Sequence, residues 1–138
     1  MSFSNYAAQA FLNSFFGNTS NFGALASAPT VHIALFNTKP GEDGTGGTEV
    51  SGGSYARQST AASDWNDATN ADPSEATNAT EIDFGTATAA WGTVTSVGFY
   101  DASTGGNMLL AADLTSSKTI DSGDAFVFPI GELKIRAD

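Results

Sequence analysis

The chain has 138 residues, with 15 acidic side chains against 5 basic ones for a formal net charge of −10, and no cysteine. That length holds one hydrophobic core. The charge disfavours nucleic acid and anionic membranes, which are bound through Lys and Arg, and the missing thiols exclude disulfides, thiolate metal sites and cysteine nucleophiles. Only 27 residues are Leu, Ile, Val or Phe, ten of them Phe, so order rests on aromatic side chains that each remove roughly 150–250 Å² from water.

Residues 3–16 carry the one helical period, with Phe3, Ala7, Ala10, Phe11, Ser14 and Phe15 on one stripe. Ser4 suits the N-cap and Gly17 the C-terminal stop. A helix of about 14 residues is marginal alone, so Phe3, Phe11, Phe15 and Phe16 are expected to bury against this domain or a neighbour and are the candidate docking residues. The chain then divides into an N-terminal amphipathic docking helix (1–17), a linker (18–29) and a β domain (30–138). The Ala24-Leu25-Ala26 triplet lacks a basic region before it, and Asn13 and Asn18 interrupt the apolar run, so no secretory signal is expected. No apolar run approaches the ~18 residues of a membrane span.

From Val31 onward the period is two. Strands are expected at 31–36, 55–60, 80–84, 93–100, 108–114, 125–128 and 133–135, parted by turn signals such as Asp43-Gly44, Gly52-Gly53 and Gly105-Gly106-Asn107. Strand, turn and strand with no helical period between them predict a mainly β fold, an antiparallel β-sandwich or jelly roll. Pro129 is expected at an edge or bulge. Residues 39–54 and 61–79 are too polar for a core and form long loops, the candidate contact surfaces.

Catalytic signals are thin. His32, the only histidine, shares a strand face with Ala34 and Phe36, where a structural imidazole is expected. Gly52-Gly53-Ser54-Tyr55-Ala56 lacks the last glycine of a nucleophile elbow. Asp64, Asn66 and Glu75 fill three positions of a calcium loop, but Ala68 and Thr69 stand where an acidic or amide ligand and the glycine belong. Trp65, Trp91, Tyr55 and Tyr100 serve either as core or as a sugar-stacking platform. Arg57 suits a sheet-surface ion pair. Tyr55, Arg57 and Trp65 are the loop contact candidates; no catalytic, cofactor or metal residue is assigned.

Two blocks are more specific: Glu49-Val50-Ser51-Gly52-Gly53-Ser54-Tyr55-Ala56-Arg57, and Gly98-Phe99-Tyr100-Asp101-Ala102-Ser103-Thr104-Gly105-Gly106-Asn107. With Val31–Phe36, Trp91–Thr95 and Ser122–Asp124 they run in an order that resembles a family of small tailed-phage virion proteins, often labelled tail fibre proteins and similar to capsid cement or decoration proteins. The resemblance implies a structural protein made in the host cytoplasm and carried on the virion. Its expected partners are the major capsid protein, copies of itself as a homo-oligomer, or other tail proteins, with no nucleic acid and no membrane. Packaged DNA repels a −10 chain, and the sequence has no coiled-coil heptad or shaft repeat. Outer capsid cement is therefore expected ahead of a tail fibre or adhesion module.

Overall fold

The computed structural model describes residues 2–8, 30–72 and 74–137. The described residues form ten strands, most of them in β-branched and aromatic runs: β1 (Ser2–Phe3), β2 (Val31–Thr38), β3 (Thr48–Glu49), β4 (Gln58–Thr60), β5 (Ser74–Thr77), β6 (Ile82–Thr86), β7 (Gly92–Tyr100), β8 (Met108–Ile120), β9 (Ala125–Phe128) and β10 (Lys134–Ala137). The main antiparallel sheet has the order β1-β8-β7-β2-β3, with β4 sharing the edge of β2 that β3 occupies; β5 pairs with β10 and β6 with β9.

Register explains which side chains meet. Ile33 lies opposite Phe99 and Leu35 opposite Val97, and Val97 and Phe99 in turn face Ala112 and Leu110. These residues share one face by the strand period of two. They join Ile82, Phe84, Phe126 and Phe128 of the β6–β9 pair, with Trp91 and Ile120, in the main core. Full burial of each large side chain contributes about 1.5–3 kcal/mol. The opposite face carries a smaller cluster of Ala34, Phe36, Tyr100, Met108 and Ala111. There the Phe36 and Tyr100 rings stack at 6.2 Å across Gly98, where a Cβ would stand 2.8 Å from the Phe36 ring and 3.0 Å from the Tyr100 ring. Only glycine lets the two rings close over the strand.

The N-terminal segment departs from its expected form. Ser4 is the N-cap, its Oγ accepting from the Ala7 N–H at 3.1 Å, and residues 5–8 are helical. Phe3, however, sits in β1, opposite Leu110, and not on a helical stripe. The reason is that Ser4 is nearly fully buried and fastened to β8: its N–H donates to the Leu109 carbonyl at 2.8 Å and its hydroxyl to the Met108 carbonyl. That attachment draws the two preceding residues into the sheet. Phe11, Phe15, Phe16 and the 18–29 linker lie outside the described residues.

Two further corrections concern the polar stretches. Residues 61–79 contain β5, and Asn78 within them is fully buried. Its amide donates to the carbonyls of Thr80 (2.8 Å) and Pro129 (2.9 Å), and its Oδ1 accepts from the Leu133 N–H at 3.0 Å. A buried amide so fully bonded replaces missing apolar mass as the link between β5, β9 and β10. Residues 39–54 contain β3, and Val50 in the core. Pro129 follows β9 directly and ends it.

The Ser96 hydroxyl is fully buried and has no hydrogen-bond partner among the described residues. A buried unpaired hydroxyl costs about 1–3 kcal/mol. Ser96→Ala is therefore expected to raise the melting temperature, by roughly 2–4 °C or more for a domain of this size; calorimetry checks it, and a fall in melting temperature would show that the hydroxyl has a partner.

Candidate functional site

The two specific blocks of the sequence meet at Arg57. Glu49 is placed by β3 opposite Phe36, and Arg57 immediately precedes β4. The guanidinium binds Glu49 in bidentate fashion, Nε to Oε1 and Nη2 to Oε2, both at 2.8 Å. Its Nη1 donates to the carbonyls of Ala102 (3.0 Å) and Gly105 (2.9 Å) in the loop after β7, and its Cζ lies 3.9 Å from the centroid of the Tyr100 ring. The Arg57 side chain is 6% exposed and that of Glu49 28%. The guanidinium is thus largely covered while its carboxylate partner stays partly open to solvent, a half-buried pair at the sheet edge. The Glu49 carboxylate, by accepting these bonds, raises the Arg57 pKa above its ordinary value against the opposing effect of burial.

Tyr55 completes the junction. Its hydroxyl accepts from the Leu35 N–H at 2.9 Å and donates to Glu49 Oε1 at 3.0 Å, so it satisfies a β2 amide in the gap between β3 and β4. The ring stacks on Phe84 at 6.3 Å and meets Trp91 edge-on at 5.6 Å. Trp91 Nε1 donates to the Gly53 carbonyl at 2.9 Å. Gly53 has φ +58°, and a Cβ there would lie 2.6 Å from the Ala89 carbonyl oxygen, so this turn requires glycine. Across the junction, Asp101 closes its own loop by accepting from the Asn107 N–H (2.7 Å) and Nδ2 (2.9 Å).

The remaining candidates are placed as follows. Trp65 is half-buried, tilted on Phe99 at 6.2 Å, with Nε1 donating to Thr60 Oγ1 at 3.0 Å. Asp64 accepts from the Ala61 N–H (2.8 Å) and the Thr80 hydroxyl (2.7 Å), which hold its carboxyl below the usual range. Among the described residues no three His, Asp or Glu side chains group to hold a metal ion. His32 faces Tyr100 and Ser59 on the neighbouring strands. Tyr55, Arg57 and Trp65 are therefore engaged with internal partners, while Phe3 is half exposed. A groove lined by Lys118, Lys134 and Arg136 was not singled out by the sequence reading; the available signal was that these are three of only five basic residues.

The model of the podophage GP4 fiber I protein gp80 family matches residues 2–136. The chain belongs to that phage fibre family. The match spans both blocks joined at Arg57, and membership makes the protein virion-associated and of fibre type, as the resemblance implied. No curated protein matches the chain.

Burial raises the Tyr55 phenol well above its ordinary pKa, and burial likewise raises that of Tyr100 although Arg57 opposes the shift. In the unfolded chain phenols ionise near pH 10. The folded values are higher, so their stabilising contribution is complete below about pH 10 and is lost as pH rises beyond it. Tyr55→Phe is expected to cost about 1–3 kcal/mol at neutral pH, by leaving the Leu35 N–H unpaired, and to make the loss of stability above pH 10 shallower. Denaturation from pH 7 to 11 checks both effects; an equally steep alkaline limb in the variant would contradict the assignment.

Proposed function

We propose that this fibre-family protein is a structural module of the virion, a small β-sandwich that acts by holding partners together and not by catalysis. The observation that carries the reading is the Arg57 junction: the two specific blocks of this sequence fasten the loop after β7 to the sheet, as a docking block requires. Of the possible placements, a tail fibre component or tail-associated module that contacts the host surface is ranked first, because the matching family is described as fibre. Its partners are other tail proteins and copies of itself. The second reading, a cement protein on the outer capsid that bridges neighbouring capsid subunits, is favoured by the net charge of −10. That charge repels packaged DNA and turns the protein outward. In either place, many copies engaged at once need only modest affinity each.

Cryo-electron microscopy of purified particles tests this. Density for the chain on the tail or its fibres is expected; density confined to the capsid exterior would replace the fibre reading by the cement reading, and absence of the chain from purified particles would overturn both.

A further inference from the structure

An open groove of about 660 Å³ runs between β8 and the pair of strands β9 and β10. Its apolar lining includes Leu114, Phe126, Phe128 and Leu133; Lys118, Lys134 and Arg136 stand along it, with Asp113, which pairs with Lys39, and Glu132 as its carboxylates. Three of the five basic residues in a chain of net charge −10 are thus gathered at one place. Arg136 pairs with Glu75 at 2.6 Å. Lys118 Nζ instead reaches over the Phe126 ring, 5.8 Å from its centroid, and neither Lys118 nor Lys134 has a carboxylate partner among the described residues.

Among the described residues the backbone around the groove is also free of strand partners. β8 meets β1 only at Leu110 and Ala111, so among the described residues the outer edge of 112–119 pairs with nothing. Among the described residues β9 pairs with β6 and β10 with β5, and with no other strand. Free strand edges offer main-chain donors and acceptors to an extended segment, whose alternate side chains point to opposite sides. Pairing of two copies along this edge is disfavoured because two chains of −10 repel; Lys118 and Asp113 pair with Val94 and Ser96, so residues 114–117 bulge opposite Thr95, and regular main-chain groups are left on either side of the bulge.

We propose that this groove docks an extended segment of another polypeptide in which acidic side chains alternate with apolar ones. The apolar set enters the floor at Leu114 and Leu133, the acidic set meets Lys118 and Lys134, and the segment's backbone bonds to β8 beside the bulge. The inference holds wherever on the virion the chain sits, because it is tested on the isolated protein.

The probe is a blocked octapeptide of alternating glutamate and valine, with its lysine–valine counterpart, titrated into the full chain by calorimetry and followed by amide shifts. The acidic peptide is expected to bind with shifts in 112–119, to weaken as salt rises, and to lose about tenfold or more in affinity to the double variant Lys118→Glu/Lys134→Glu. Both lysines are exposed, so an unchanged melting temperature confirms that the variant folds; Leu114→Asp provides an independent block of the floor. Equal binding of both peptides, no binding, or full affinity in the double variant would overturn the proposal. So would concentration-dependent self-association that the double variant abolishes, which assigns the groove to a second copy, or tighter binding of an alginate oligosaccharide than of the peptide.

Discussion

One half-buried ion pair governs the geometry around the β3–β4 edge of this domain. Arg57 is held by Glu49 at two points, caps two carbonyls of the loop after β7 and lies on the Tyr100 ring. Desolvating a guanidinium is costly, and the cost is offset only when carboxylate, carbonyls and ring are all in place. Each partner comes from a different part of the chain: β3, the loop 101–107 and the end of β7. A fault in any of them leaves a buried charge without its partner, so the interaction rewards only the complete arrangement.

The packing around it follows from the same constraint. Glycine at 98 lets Phe36 and Tyr100 close over the strand and present a ring to Arg57. Glycine at 53 lets the chain pass beneath Trp91, which brings Tyr55 back to the Glu49 carboxylate. Both specific blocks of the sequence are the two halves of one junction, and the family match runs through both. The mechanical consequence is that the loop after β7 is fastened to the sheet through Arg57.

Much of this architecture was legible in the sequence because the strand segments are rich in β-branched and aromatic residues and are parted by glycine turns. Val31 to Phe36 and Thr93 to Tyr100 are long enough for the period of two to show, and both became central strands. β5 was not legible: Ser74 to Thr77 has no apolar alternation, and what makes it a strand is its register with β10 and the buried Asn78 amide beside it. β8 runs on to Ile120 through Thr115 to Thr119, which are exposed and carry no pattern. Phe3 fitted a helical stripe by spacing, yet the anchoring of Ser4 to β8 decides its conformation. At the junction, Arg57 was recognised as half of an ion pair, but the Ala102 and Gly105 carbonyls are 45 and 48 residues away, and no local rule connects them.

A double-mutant cycle on Glu49→Ala and Arg57→Ala, read by chemical denaturation together with amide exchange in the loop 101–107, tests the central claim most directly. If the junction organises the domain, each single variant costs about 1.5–3 kcal/mol, as for hydrogen bonds to charged groups, the pair couples by about 2 kcal/mol, and Arg57→Ala alone deprotects the loop amides. Costs that add to within about 0.5 kcal/mol, with loop exchange unchanged, would contradict it.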